Sequence, residues 1–147
     1  MSIVIRGAAK RYVSRGREVR ALDPVDLDIA SGEFVAFVGP SGCGKSTLLN
    51  MVAGILPLTA GSISHDGVTV SGINRAVGYM TQVDSVLPWR TVFENVELPL
   101  KFRGVPTAER RRLVEAMLAR VNLTGFESSF PVELSGGMRK RVALAQV

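Results

Sequence analysis

The sequence predicts an α/β domain built around a phosphate-binding loop. Three observations predict it. An apolar run, Phe34-Val35-Ala36-Phe37-Val38, leads into Gly39-Pro40-Ser41-Gly42-Cys43-Gly44-Lys45-Ser46-Thr47, and a second apolar run, Leu48 to Ala53, leaves it. Short segments of strand character lie on both sides of that unit. From Thr91 onward the apolar residues fall at helical spacing instead.

Residues 2–6 and 10–13 read as strand pieces, and 19–30 as another strand, with Asp26 and Asp28 alternating against Leu27 and Ile29. Ser31-Gly32 is a turn. Residues 33–38 are apolar on both faces, which predicts a central strand covered on both sides. The helix after the loop runs from Ser46 to Ala53; Gly54 ends it and Pro57 prevents its continuation. Residues 61–64 and 68–70 flank His65-Asp66-Gly67 as a hairpin. Ala76 to Met80 reads as a short buried strand. Thr107 is placed to cap a helix that buries Leu113, Val114, Met117, Leu118 and Val121, although Arg110 stands where a capping box wants Glu. A last helix starts at Ser135, which can cap it, and turns Val142, Leu144 and Ala145 inward.

The loop carries the chemistry. The pattern G-x-x-x-x-G-K-[ST] runs from Gly39 through Gly44, Lys45 and Ser46. Its glycines let the backbone curl around an anion with N–H groups pointing inward. The helix that follows adds the positive end of its dipole. Lys45 supplies a mobile positive charge for β and γ phosphates, and the Ser46 hydroxyl can ligate Mg²⁺. Strand, tight loop, then helix is the context that separates a phosphate site from a plain glycine-rich turn.

At 147 residues, 46% hydrophobic and 21% charged, the chain has the size of one domain and enough apolar content for a packed core. No apolar run reaches the ~18 residues that span a bilayer. The N-terminal stretch lacks the apolar segment of a secretory signal. The single cysteine, Cys43, sits inside the loop, so no intrachain disulfide forms and a reducing cytosol is expected. The net charge of +5 comes from clusters at Lys10-Arg11 with Arg15, Arg17 and Arg20, at Arg110-Arg111-Arg112, and at Arg139-Lys140-Arg141. No aromatic residues interleave with them to stack bases, so solvated faces are expected and no nucleic-acid partner.

Leu134-Ser135-Gly136-Gly137-Met138 is the second informative stretch. A serine and two glycines at a helix start present a hydroxyl and free N–H groups, a second anion site. One ligand in one small domain does not obviously use both sites.

With these two phosphate motifs in this order, the sequence resembles the ATP-binding subunits of ABC transporters along its length. In that family the first motif is the Walker A loop and the second is the LSGGQ signature. A Q-loop glutamine lies between them, matched by Gln82 after Met80, and an aromatic near the N-terminus stacks on adenine, matched by Tyr12. Met138 departs from LSGGQ. Yet LSGGM, with Leu87-Pro88-Trp89-Arg90-Thr91-Val92, is similar to the branch that imports nitrate, sulfonates and taurine.

The resemblance implies a P-loop NTPase core, with an N-terminal antiparallel β subdomain and a helical signature subdomain. The implied boundaries are 1–80 for the β subdomain and Walker A core, 81–133 for the Q-loop and helical part, and 134–147 for the signature. It implies ATP and Mg²⁺ as cofactors, bound by Tyr12, residues 39–47, Gln82, Ser135, Gly136 and Gly137. Lys45, Gln82 and Ser135 would act in catalysis, and Ser46 and Gln82 on the metal. The implied partners are two. A second ATP-binding subunit packs head to tail, so that Ser135, Gly136 and Gly137 of one copy clasp the γ-phosphate held by Lys45 and Ser46 of the other. A transmembrane permease seats its coupling helix in a groove that residues 84–100 help to form. The implied location is the cytoplasmic face of the cell membrane.

The family's Walker B aspartate, catalytic glutamate, D-loop and switch histidine have no counterpart here. Asp23, Asp26, Asp28, Asp66 and Asp84 stand in strand-face, turn or loop contexts and read as surface carboxylates. His65 precedes the signature, whereas the switch histidine follows it, so it reads as a turn residue. Trp89 reads equally as a core anchor or a partner contact. The expectation is an ABC ATPase truncated after the signature helix, binding ATP weakly, hydrolysing it poorly, and leaving 33–38 as an exposed apolar edge for want of the Walker B strand. A non-catalytic nucleotide-binding module and an inactive fragment are the alternatives. A kinase or GTPase fits less well, since neither carries a Ser-Gly-Gly helix start for a partner's phosphate.

Overall fold

Stretches rich in Ile, Val and Ala open the chain, and in the computed structural model they pair into a sheet. The structure describes residues 2–14, 16–82 and 85–147; Arg15 and Asp84, the latter also the first residue of the 84–100 segment, lie outside the described residues. The chain divides into two units, Met1–Val77 and Gly78–Val147.

In the first unit, β1 (Ile3–Ser14) and β2 (Arg17–Ile29) form an antiparallel hairpin. Strand β3 (Ala60–His65) pairs antiparallel with the other edge of β1, and β4 (Val68–Thr69) with β3, giving the order β2-β1-β3-β4. The two pieces expected at 2–6 and 10–13 are one strand carried through a bulge. The register slips between Ile5 and Ala8, and the Gly7 N–H donates to Asp26 Oδ1 at 2.8 Å. Asp66 (φ 48°) and Gly67 (φ 78°) close the next hairpin, both left-handed as a two-residue type I′ turn requires. Helix α1 (Lys45–Val52) lays Leu48 and Met51 against Ile5, Ala8 and Ile63. Burial of each large side chain in this layer contributes about 1.5–3 kcal/mol.

Residues 33–38 form no strand, and Phe34 and Val38 are each 94% exposed. The two-sided burial expected of them fails because no described strand pairs with this run. An apolar sequence becomes a strand only where a neighbour takes up its N–H and C=O groups. Residues 76–80 carry no strand for the same reason.

The second unit is helical. It holds α2 (Val92–Phe102), α3 (Thr107–Arg120) and α4 (Gly136–Ala145), with a 3₁₀ turn at Pro131–Glu133 before α4. Val92, Val96 and Leu100 of α2, Val114 and Leu118 of α3, and Val142 and Ala145 of α4 meet in one core, with Leu113, Met117 and Val121 half-buried against it. Thr91 and Glu94 start α2 with a reciprocal capping box. The Glu94 N–H donates to Thr91 Oγ1 at 3.2 Å and the Thr91 N–H donates to Glu94 Oε2 at 2.9 Å.

Thr107 does not cap α3. Pro106 stands at the cap and Thr107 is the first helical residue; Arg110 turns instead to Glu97 Oε1 (2.8 Å) and the Val105 carbonyl (2.7 Å). Along α4, Ala143 rather than Leu144 is buried, and Leu144 is 56% exposed. Two residues past Val142 is more than half a helical turn, which points Leu144 away from the core. Among the described residues, no helix is long and apolar enough to cross a membrane.

Candidate functional site

The loop at 39–47 ends in Gly44, the N-cap of α1, with φ 95°. A Cβ there would stand 2.7 Å from Leu22 Cδ1 and 2.8 Å from the Ala21 carbonyl oxygen of β2. Glycine alone meets both the left-handed backbone and the close approach. Lys45 then folds its ammonium back over the loop. It donates to the carbonyl oxygens of Gly39 and Pro40, both at 2.7 Å, and approaches Cys43 Sγ at 3.4 Å. The Cys43 N–H donates to the Pro40 carbonyl at 3.4 Å. The loop is therefore curled around its own cation. Ser41, Gly42, Cys43 and Ser46 are exposed and Thr47 is half-buried. Ser46 and Thr47 lie in the first turn of α1, where backbone N–H groups lack helical partners.

Tyr12 sits on β1 opposite Val19 and is 45% exposed. Lys10 Nζ lies 5.1 Å from its ring centroid, a cation–π contact, and donates to the Pro57 carbonyl at 2.7 Å. Lys10 pairs with Leu22, the residue against which Gly44 packs. Tyr12 therefore lies on the β1–β2 hairpin of the first unit, against which Gly44 of the loop packs.

Gln82 and the serine-glycine tip belong to the second unit. Gln82 is exposed in a bend. Ser135 caps α4, its Oγ accepting the Met138 N–H at 3.2 Å, and Ser135, Gly136 and Gly137 are all exposed at the start of that ten-residue helix. Arg139 donates to the Leu134 carbonyl at 2.7 Å, and Arg141 to the carbonyls of Val121 and Asn122, both at 3.0 Å. These arginines of the third basic cluster tie the helix to the chain around it.

Asn95 carries no motif that sequence reasoning singles out. It is fully buried on α2, and its Nδ2 donates to the carbonyls of Leu87 (3.1 Å), Arg90 (3.0 Å) and Thr91 (2.9 Å). Its Oδ1 accepts the Leu87 N–H at 2.7 Å. One amide thus holds the whole turn 87–91. The available signal is a polar residue at a core phase of α2, directly behind the Thr91-x-x-Glu94 capping pattern. Trp89, in that turn, is 71% exposed and is not a core anchor.

His65 is the last residue of β3 rather than part of the turn. It is buried, its Nε2 has no hydrogen-bond partner among the described residues, and Asp66 Oδ2 lies 3.8 Å away. Asp23, Asp26, Asp28 and Asp66 are exposed, as surface carboxylates should be. Asp28 pairs with Arg6, whose hydrogen bond holds the Asp28 carboxyl below its ordinary pKa while raising that of the guanidinium. The Asp66 carboxyl is also lowered, first by the backbone N–H of Ser2. Among the described residues, no group of three or more His, Cys, Asp or Glu could hold a metal unaided.

The ABC transporter family profile matches residues 22–147. The chain is 50% identical over 138 residues to the taurine import ATP-binding protein TauB of Rhizobium johnstonii, covering 94% of this chain and 52% of that protein. It is 48% identical over 126 residues to the TauB of Yersinia pestis, covering 86% and 49%. The chain spans about half the length of the curated relatives it matches. Among solved structures, the ATP-binding cassette MJ0796, captured as a dimer bound to ADP and Pi, aligns with a TM-score of 0.86 at 32% identity, covering 98% of this chain and 68% of that one.

Proposed function

The chain belongs to the ABC transporter family, and on that premise we propose that it is the nucleotide-binding portion of an ATP-binding subunit that powers uptake of a small sulfonate such as taurine. The observation that carries the reading is the loop curled around Lys45. Its ammonium rests on two neutral carbonyls, so an incoming triphosphate exchanges those contacts for anionic oxygens, which bind a cation more strongly. The taurine-import relatives support the solute class.

In this reading Tyr12 stacks on adenine and residues 39–47 wrap the phosphates. Lys45 neutralises charge on the β and γ phosphates. Ser135, Gly136 and Gly137 of a second copy donate to the γ-phosphate from the helix tip, a preorganised electrostatic clasp. ATP then joins two copies, and the ADP- and Pi-bound dimer of the similar cassette supports that arrangement. Mg²⁺ takes few protein ligands beside phosphate oxygens and water; the exposed Ser46 hydroxyl is the group of the first unit that would hold it, and the exposed Gln82 amide is the group the reading assigns from the second. There it would neutralise charge on the phosphates. Gln82 would also orient the attacking water. The subunit would work at the cytoplasmic face of the membrane against a permease that meets the 84–100 segment.

Sedimentation velocity with and without MgATP tests the clasp. ATP-dependent self-association that Ser135→Arg abolishes supports the reading. Association indifferent to ATP contradicts it.

A further inference from the structure

The amide of Gln146, the C-cap residue of α4, joins two points that bracket the 87–91 turn. Its Nε2 donates to the Asn95 backbone carbonyl at 3.1 Å and reaches Asn95 Oδ1 at 3.5 Å, and its Oε1 accepts from Ser85 Oγ at 3.4 Å. Asn95 in turn holds Leu87, Arg90 and Thr91. The other end of α4 is Ser135 with its capped Met138 N–H.

We infer that Gln146 is a positioning residue that latches the 87–91 turn to the signature helix, so that displacing the turn moves the Ser135 tip. The inference rests on the function proposed above, in which the turn faces a permease and the tip faces ATP. Three physical facts support a latch rather than a loose contact. Asn95 is fully buried, so its hydrogen bonds are not exchanged for water at low cost. A helix of ten residues moves as a rod of about 15 Å, so a shift at one end reaches the other. The same Gln146 amide meets Ser85 before the turn and Asn95 after it. Trp89, the one tryptophan in the chain, stands exposed inside it.

Amide hydrogen exchange and acrylamide quenching of Trp89, on the wild-type chain, Gln146→Ala and Gln146→Arg, test the latch without nucleotide. In Gln146→Ala the Leu87 amide exchanges about tenfold faster, the factor for one lost hydrogen bond. Quenching of Trp89 rises, and the Met138 amide at the far end of α4 also speeds up. The Leu118 amide in α3 stays unchanged. Gln146→Arg, which keeps N–H donors for Asn95 but has no acceptor for Ser85 Oγ, brings the Leu87 and Met138 amides back towards the wild-type rates. An unchanged Met138 amide, or an equal acceleration at Leu118, overturns the inference, because the contact is then merely local or merely stabilising. With MgATP added, Trp89 emission shifts in the wild type and not in Gln146→Ala, although both bind ATP. Binding by both with no shift in the wild type contradicts the latch. Failure of both to bind ATP contradicts the proposed function instead, and leaves the nucleotide-free result to decide the latch.

Discussion

Lys45 donates to the Gly39 carbonyl oxygen at 2.7 Å, so the cation of the phosphate loop rests on the residue that opens the loop. The contact spans the loop from first glycine to lysine and keeps the charge inside the curl. A phosphate group need only displace a carbonyl partner to be met by a positioned ammonium.

The loop geometry depends on Gly44. Gly44→Ala places a Cβ on a backbone at φ 95° and within 3 Å of Leu22 and the Ala21 carbonyl. Destabilisation of about 2–4 kcal/mol is expected from strain and clash together. Urea denaturation followed by circular dichroism measures it, and a midpoint equal to wild type would contradict the close approach of α1 to β2.

Asn95→Ala leaves the Leu87 N–H and the Arg90 carbonyl without their side-chain partner in a part-buried site, while the Leu87 and Thr91 carbonyls keep the Arg90 and Asn95 backbone N–H groups. A loss of about 1–3 kcal/mol follows from leaving these two groups unpaired. Asn95→Asp is expected to be no milder, since it loses the donors and buries a carboxyl. Thermal denaturation of the three proteins checks the order.

Stability on the acid side depends on Asp28. Its folded pKa is lowered, chiefly by the hydrogen bond from Arg6. The unfolded value is about 3.9. The stabilisation is therefore complete above that value and is lost as pH falls through the lower folded pKa. Asp28→Asn should flatten the fall in denaturation midpoint below pH 4, with the sign fixed by the proton that the unfolded chain binds first. A steeper acid limb in the variant would contradict the pairing.

The legibility of this chain follows its local signals. Gly39 to Thr47 and Ser135 to Gly137 are legible as a glycine loop before a helix and as a serine-capped helix start because both are local patterns, and Asp66-Gly67 because a type I′ turn needs two left-handed residues. Phe34 to Val38 reads as a buried strand because composition reports only what a segment could bury, whereas a strand needs a neighbour elsewhere in the sequence. Thr107 stands one residue inside the helix behind Pro106, and its hydroxyl accepts from Arg110, which also reaches Glu97 on α2, a contact between helices that local pattern does not encode. Asn95 escapes notice because a buried amide looks, in a sequence, like any surface one.

Phosphate binding by Lys45 and its loop is tested most directly by isothermal titration of the wild-type chain and Lys45→Ala with MgATP. A charge-assisted contact of about 1.5–3 kcal/mol predicts that the variant binds roughly 10- to 100-fold more weakly. Equal affinity in the two proteins would contradict the account.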